Sequence, residues 1–252
     1  MNRILLVVAA LVLSTGNAQA CYNKNLGDTE NFTNCEKAAE QGLVSAQYNL
    51  GRMHQFGIGV AQDSKQAVYW YGKAAKQGHV NAQFNLALMY DKGQDYKLAA
   101  QWYTKAAEQG HVNAQFSLGL MYGSGQGVPQ DQKQAVVWYK KAAEQGLARA
   151  QYTLGNMYDQ GLGVVQDHKL AAQWYKAAAE QGHAKAQYNL GVSHANGQGV
   201  IQDYVIAYMW LNIASLNGDE IALNGKKTVA DEMTDGQISE AEKLAREWVA
   251  KH

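Results

Sequence analysis

The chain has 252 residues, in which 22 lysine and arginine residues are balanced by 22 aspartate and glutamate residues. This balance argues against non-specific nucleic-acid binding, because such binding needs a concentrated basic surface that displaces phosphate counterions. The single proline and the 25 glycines favour a helical chain with regular turns, and the length is compatible with one elongated domain or two globular ones.

The N-terminal segment has the features of a secretory signal peptide. Arg3 supplies a positive charge, residues 4–13 form an apolar run, and Ala18-Gln19-Ala20 has the small-x-small pattern of a cleavage site. The apolar run is too short to span a bilayer as a helix. We therefore expect cleavage of residues 1–20 after Ala20, a periplasmic or secreted mature protein, and no transmembrane segment.

The chain has two cysteines, Cys21 and Cys35. In an oxidising compartment a pair of cysteines is more often bridged than free, which predicts a disulfide between them. The alternative is a lipid anchor on Cys21, because cleavage after Ala20 would make it the first mature residue. Lipoprotein signals usually carry leucine three residues before that cysteine, and this chain has Ala18, so the disulfide is the favoured interpretation.

A partial repeat in residues 21–45 is followed by a strong internal repeat. The tryptophans are spaced 32, 36, 36 and 36 residues apart, at Trp70, Trp102, Trp138, Trp174 and Trp210. Ala-Gln pairs keep the same register and begin at Ala46, Ala82, Ala114, Ala150 and Ala186. A fixed period of this length predicts a solenoid, with repeats at residues 46–81, 82–113, 114–149, 150–185 and 186–221.

Each repeat is predicted to form two helices joined by a loop. In the fourth repeat, Ala150, Leu154 and Tyr158 share one face of a first helix. The second helix begins after Asp167, a suitable cap, and ends at Gly182, where a left-handed backbone is expected. In the second repeat only Gln94 separates Gly93 from Asp95, which predicts a tighter turn. The chain is therefore expected to be all-α.

The patterns A-Q-x-x-L-G-x-M-Y, G-x-G-V-x-x-D and A-x-x-W-Y-x-x-A-A-x-x-G resemble Sel1-like repeats, relatives of tetratricopeptide repeats, over about residues 37–221. The resemblance implies an exported bacterial protein that folds as a right-handed α/α superhelix. The tail, residues 222–252, resembles the usual end of bacterial members and is expected to form capping helices. A solenoid needs such helices to cover its last hydrophobic surface.

The histidines do not form a recognisable metal site in the sequence. His79, His111 and His183 follow the glycine that ends a helix in three different repeats, so they cannot converge on one zinc ion. His54 and His194 stand where other repeats have tyrosine, and we expect them to act as aromatic substitutes. The sequence predicts neither a metal nor a cofactor.

A partner-binding surface is predicted by analogy with tetratricopeptide repeats, in which the first helix of each repeat lines the concave face. The side chains expected there are Tyr48, Arg52, Phe84, Leu88, Phe116, Leu120, Tyr152, Asn156, Tyr188 and Val192. Leu88 and Leu120 are the informative members, because contiguous apolar side chains in water indicate a binding groove. The alternative is that neighbouring repeats bury them.

Two functions are compatible with these patterns. The favoured one is a non-enzymatic scaffold that binds a peptide or protein partner on its concave surface, in the envelope or in contact with a host. The alternative is a weak hydrolase with the β-lactamase-like activity described for cysteine-rich relatives. Those relatives carry a cysteine pair in each repeat, whereas these repeats have none, and the chain has neither S-x-x-K nor K-T-G.

Overall fold

The computed structural model describes residues 21–251. Within this range the chain forms thirteen α-helices and no strand. It divides after His111 into two compact units, which we call unit 1 and unit 2. The predicted signal peptide, residues 1–20, lies outside the described residues.

Unit 1 contains the N-terminal helix and two helix pairs: α1 (Asp28–Glu40), α2 (Val44–Phe56), α3 (Ser64–Lys76), α4 (Val80–Lys92) and α5 (Tyr96–Glu108). Unit 2 contains three helix pairs and two further helices: α6 (Val112–Ser124), α7 (Gln132–Glu144), α8 (Ala148–Gln160), α9 (His168–Ala179), α10 (Ala184–Asn196), α11 (Tyr204–Leu216), α12 (Glu220–Ala230) and α13 (Asp235–Val249). The predicted all-α fold of helical repeats is confirmed.

The two helices of a repeat approach closely because a glycine on the first faces a tyrosine on the second. A Cβ atom on Gly51 would lie 2.6 Å from the ring of Tyr71, and Gly155 stands in the same relation to Tyr175. Both tyrosines are fully buried or nearly so. A side chain at either glycine would therefore force the helix pair apart.

The helix boundaries follow the residues that predicted them. The Asp63 carboxylate accepts hydrogen bonds from the backbone N–H groups of Lys65 and Gln66 at 2.8 and 3.1 Å. The aspartates at the other four second helices cap in the same way: Asp95, Asp131, Asp167 and Asp203. Gly182 has a φ of 81°, in the left-handed region that a helix-ending glycine adopts.

The glutamines of the fourth and fifth Ala-Gln pairs, Gln151 and Gln187, are buried, and each joins three segments of unit 2. Gln151 donates from Nε2 to the Ala143 carbonyl oxygen at 3.1 Å, and its Oε1 accepts from Gln181 Nε2 at 2.7 Å. Gln187 repeats this arrangement with Ala179 and Asn217. The glutamine thus connects the second helix of the preceding repeat to the end of its own repeat. Such a satisfied amide stabilises the stack, whereas an unsatisfied one would cost about 1–3 kcal/mol.

The second repeat has the tight turn that its missing loop residues predict. Gln94 has a φ of 63°, which places a non-glycine residue in the left-handed region. The Asp95 N–H donates to the Tyr90 carbonyl oxygen at 2.9 Å, across the turn. Helices α4 and α5 both keep 13 residues, so the deletion shortens the loop and leaves the helices intact.

Helices α12 and α13 both pack against α11 at the C-terminal end of unit 2. Trp248 of α13 meets Trp210 of α11 edge to face, with ring centroids 5.5 Å apart. Ala245 is 1 % exposed within the same apolar cluster. Helix α13 therefore covers an apolar face of α11. None of the helices in residues 21–251 is long and apolar enough to cross a membrane.

Candidate functional site

The four predicted contact residues of unit 1 differ in exposure. Tyr48, Phe84 and Leu88 are half-buried, and Arg52 is exposed. The Tyr48 ring stacks on His79 with centroids 4.5 Å apart, and Phe84 stacks on His111 at 4.3 Å. The two aromatic side chains therefore pack within the solenoid, and each leaves only part of its surface for a partner.

The remaining six predicted residues belong to unit 2. Tyr152, Asn156, Tyr188 and Val192 are half-buried, and Leu120 is 49 % exposed. Phe116 differs from the prediction, because it is only 9 % exposed and lies in an apolar cluster. Its ring packs on Tyr139 and is covered by the guanidinium of Arg149, 4.4 Å from the ring centroid. Phe116 is thus a core residue.

Three of the predicted residues come together at one pocket in unit 2. Tyr152 and Asn156 of α8 and Val192 of α10 line a pocket of about 300 Å³. Its other lining residues are Asp159, Gln160, Tyr175, Asn189, Ser193 and Gln198. We call it the Asn156 pocket. Its volume is at the lower end of the range of about 300–1,000 Å³ typical of ligand sites, which suits a small part of a larger partner.

Two asparagines form the polar centre of the Asn156 pocket. Asn156 Oδ1 accepts a hydrogen bond from the Tyr175 hydroxyl at 2.8 Å and a second from Asn189 Nδ2 at 3.1 Å. These bonds occupy the Asn156 acceptor and orient both amides. The described residues provide no hydrogen-bond partner for Asn156 Nδ2 or Asn189 Oδ1, which leaves one amide NH₂ group and one amide oxygen for a ligand at the pocket.

Asp159 supplies the carboxylate of the pocket. Its Oδ1 lies 2.8 Å from Nδ1 of His168, and both side chains are partly exposed, at 40 % and 37 %. Burial raises the pKa of the nearby Tyr175 phenol, and the negative charge of Asp159 raises this pKa further. Tyr175 therefore stays protonated at neutral pH and donates its hydrogen bond to Asn156.

The sequence prediction missed most of the polar residues of this pocket. Ser193 is the member with a detectable signal, because the other four repeats have methionine at its position: Met53, Met89, Met121 and Met157. The Ser193 hydroxyl donates to the Asn189 carbonyl oxygen at 2.9 Å. A shorter side chain at a core position opens space beside it. The position at which this repeat departs from the repeat pattern is therefore a better indicator of the pocket than the positions that match the pattern.

A second pocket, of about 380 Å³, lies in unit 1 and includes the predicted residue Arg52. Its other lining residues are Tyr22, Asn49, Met53 and Ile58. Asn49 Nδ2 donates to the sulfur of Cys21 at 3.4 Å, and Cys21 is joined to Cys35 by the predicted disulfide. This pocket thus contains a cationic side chain, whereas the Asn156 pocket contains a carboxylate.

A comparison with protein families matches the Sel1 repeat to five consecutive segments, residues 44–79, 80–111, 112–147, 148–183 and 184–219. These segments cover more than half of the chain. The chain belongs to the Sel1 repeat family. Each matched segment begins at or next to the start of a first helix, and it ends in the turn after a second helix.

Solved structures of other Sel1 repeat proteins support the assignment. A Sel1 repeat protein from Oxalobacter formigenes is 33 % identical, with a TM-score of 0.75 over 87 % of this chain and 93 % of the other. The c5321 protective antigen of uropathogenic Escherichia coli is 31 % identical, with a TM-score of 0.58 over 96 % of this chain. This chain spans 63 % of the c5321 chain. A search of curated proteins found no match.

Sel1 and tetratricopeptide-like repeats generally serve protein–protein interaction, and their scaffolds are typically non-enzymatic. YrrB, described as a tetratricopeptide-repeat protein with an unusual peptide-binding site, shares the fold at 23 % identity and a TM-score of 0.52. In residues 21–251 of this Sel1 repeat protein, no three histidine, cysteine, aspartate or glutamate residues are grouped so that they could hold a metal ion.

The histidines of this Sel1 repeat protein have structural positions. His79 and His183 accept hydrogen bonds at Nδ1 from the backbone N–H groups of Ala82 and Ala186, and so cap α4 and α10. His183 also stacks on Tyr152, with centroids 4.7 Å apart. His54 and His194 each bury an Nδ1 atom for which the described residues provide no hydrogen-bond partner. The capping role was not predicted from the sequence.

We expect this Sel1 repeat protein to lose stability between pH 7.5 and 5.5. Burial lowers the pKa of five histidines below the ordinary value of about 6.5: His54, His79, His111, His183 and His194. The unfolded chain therefore binds more protons than the folded chain just below pH 6.5, so the free energy of unfolding falls with pH until the folded histidines also titrate. The urea midpoint of helix loss measures this.

The control for this prediction is a His183→Asn/His194→Tyr variant. Asparagine keeps a cap acceptor without titrating, and tyrosine is the residue of the second, third and fourth repeats at the position of His194. We expect a smaller difference between the midpoints at pH 7.5 and 5.5 than in the wild type. An unchanged difference would show that these two histidines do not cause the acid sensitivity.

Proposed function

We propose that this Sel1 repeat protein binds an extended peptide segment of a protein partner across the first helices of unit 2, with the Asn156 pocket at the centre of the contact. The observation that supports this is a pair of asparagines on the first helices of neighbouring repeats. Asn156 and Asn189 meet there through one hydrogen bond at 3.1 Å. An extended peptide exposes alternating backbone donors and acceptors. The donor on Asn156 and the acceptor on Asn189 are suited to pair with one such backbone unit.

The surroundings of the two amides also suit a peptide. Tyr152 and Val192 provide apolar surface beside the polar centre, and the asparagine amides are held in place by their bonds to each other and to Tyr175. A preorganised site loses less conformational entropy when it binds a partner. Leu120, 49 % exposed on α6 of the same unit, is a further candidate contact.

The hydrolase alternative gains no support from the geometry of the pocket. The serine at this site, Ser193, donates its hydroxyl to the carbonyl oxygen four residues earlier in its own helix, a common arrangement for a serine inside a helix. The Asp159–His168 contact orients an imidazole, but a nucleophile would also have to lie within hydrogen-bond distance of that imidazole. We therefore favour binding.

We also propose that the protein acts outside the cytoplasm, in the envelope or in contact with a host. The Cys21–Cys35 disulfide is consistent with an extracytoplasmic location, since disulfides form and persist in oxidising compartments. The predicted signal peptide in residues 1–20 supports the same proposal.

The test is a selection of random peptides displayed on phage against residues 21–252, followed by affinity measurements on the enriched peptides. Asn156→Leu removes the amide and introduces the residue that stands at this repeat position in Leu88 and Leu120. We expect this variant to bind the enriched peptides at least about tenfold more weakly, a loss of about 1.4 kcal/mol.

The matched control is Asn34→Leu, the same chemical change at an exposed position of α1 in unit 1. It should leave the affinity unchanged, and both variants should keep the wild-type helix content. Equal binding by wild type and Asn156→Leu would move the contact away from the pocket. Failure to enrich any peptide would overturn the proposed function.

A further inference from the structure

The charged side chain that lines the Asn156 pocket is a carboxylate. Asp159 supplies this carboxylate, and the other lining residues are tyrosine, valine, serine, asparagine and glutamine. Lysine and arginine are absent from this lining. A ligand group placed in the pocket therefore faces one carboxylate, several amides and the exposed part of an aromatic ring.

The carboxylate of Asp159 is not neutralised by a lysine or arginine within the described residues. Its recorded close partner is His168, whose Nδ1 lies 2.8 Å from Oδ1. The imidazole donates a hydrogen bond to Oδ1, because a carboxylate oxygen accepts. The other carboxylate oxygen, Oδ2, is left for another donor. Because Asp159 is 40 % exposed, a ligand can reach it without complete burial of the charge.

The walls of the pocket also favour a cation. Tyr152 and Tyr175 line it together, with ring centroids 6.2 Å apart and planes inclined at 38°. The Tyr175 ring is 2 % exposed and packs on Gly155, so the half-buried Tyr152 is the ring with surface left for a ligand. A tyrosine ring attracts lysine and arginine side chains through the negative potential of its face. The amide oxygen of Asn189 adds an acceptor. A carboxylate, the exposed part of an aromatic ring and an amide oxygen are together groups that bind an ammonium or guanidinium ion.

The pocket of unit 1 provides a contrast within the same chain. Arg52 occupies the repeat position of Asn156, and the lining of the unit 1 pocket includes no carboxylate. That pocket would repel a cation and attract an anion. The preference for a cation is therefore a property of the fourth and fifth repeats, which supply Asp159 and Asn189, and does not follow from the fold itself.

We propose that the Asn156 pocket is a specificity site that takes a lysine or arginine side chain of the bound peptide, with Asp159 as the residue that selects it. This inference rests on the proposed function, because it assigns a side chain to a peptide that lies on the first helices of unit 2. Asp159 pairs with the cationic group, the exposed part of Tyr152 packs along its stem, and Asn156 and Asn189 hold the adjacent backbone.

The test compares two parallel peptide selections, one on the wild type and one on Asp159→Asn. Asparagine has the shape of aspartate and can still accept the hydrogen bond from His168, so the fold and the position of the imidazole are retained. We expect lysine or arginine to be enriched at one position of the peptides selected by the wild type. This enrichment should be absent from the peptides selected by the variant.

The affinities of matched peptides then measure the pairing directly. Replacing the enriched lysine by glutamine should weaken binding to the wild type about tenfold and binding to Asp159→Asn less than twofold. The difference should shrink in 0.5 M salt, at which partly exposed charges are screened. A lysine-to-glutamine loss of equal size in both proteins would overturn the inference.

The outcomes of this experiment separate the two proposals. Peptides that bind both proteins without any preference for lysine or arginine would overturn the cation site and leave peptide binding in place. If neither protein enriches a peptide, peptide binding itself is overturned, and the cation site with it. Circular dichroism of both proteins serves as the control for folding.

Discussion

Gly199→Ala is expected to destabilise unit 2 by about 2–5 kcal/mol. Gly199 lies in the loop before α11, where its φ is 73°, and a Cβ atom there would overlap the carbonyl oxygen of His168 at the start of α9. The left-handed backbone alone costs a non-glycine residue about 1–2 kcal/mol, and overpacking against a helix adds typically 1–3 kcal/mol. The free energy of unfolding in urea, followed by circular dichroism, measures the sum.

Gly182→Ala is the matched control for this variant. Gly182 has a φ of 81°, in the same left-handed region, but a Cβ atom there would meet nothing within 4 Å. This variant should therefore lose only the backbone term of about 1–2 kcal/mol. If both variants lose the same stability, the contact between the loop and α9 does not contribute, and the requirement for glycine at position 199 is purely conformational.

Reduction of the Cys21–Cys35 disulfide is expected to destabilise the N-terminal end of unit 1 by about 3 kcal/mol. The two residues are 14 apart in the sequence, and the chain-entropy model assigns about this value to a loop of that size. Cys35 is fully buried and Cys21 is 5 % exposed, in one cluster with Leu50 and Trp70. Loss of the crosslink should therefore reach α2 and α3 as well as α1.

Urea unfolding with and without a reductant measures this effect, and a Cys21→Ser/Cys35→Ser variant serves as the control. The variant should behave like the reduced wild type and should not respond to the reductant. Intact mass of protein purified from cells decides between the disulfide and the alternative lipid anchor. A mass two hydrogens below that of the dithiol supports the disulfide, whereas a large added mass at Cys21 would contradict it.

Much of the fold could be predicted because its determinants are local and repeated five times. Asp63 and its equivalents each cap a helix that begins at the next residue, and Gly182 ends a turn through its own backbone conformation. The tight turn at Gln94 was predicted because the loop of the second repeat has fewer residues than the loops of the other repeats. In each case the cause and the effect lie within a few residues of each other, so one repeat could be interpreted without its neighbours.

The candidate site could be predicted only in part. Tyr152, Asn156 and Val192 were identified because a helical face can be read from spacing. Phe116 occupies the same repeat position as Tyr152 and was expected to contact a partner, yet Arg149 and Tyr139 cover it. Spacing indicates the direction of a side chain but does not indicate which residue from the next repeat lies over it.

The sequence by itself determined the helices, their caps and the family, because these depend on short-range conformational preferences and on a period that is visible without coordinates. Only the tertiary structure decided that Asn156 and Asn189, 33 residues apart, share a hydrogen bond, and that Asp159 lines the same pocket, whose described lining residues include no lysine or arginine. The physical reason is that side chains from adjacent repeats meet at distances set by helix packing. Changes at single positions, such as serine at position 193, then determine whether the space between them is filled or open.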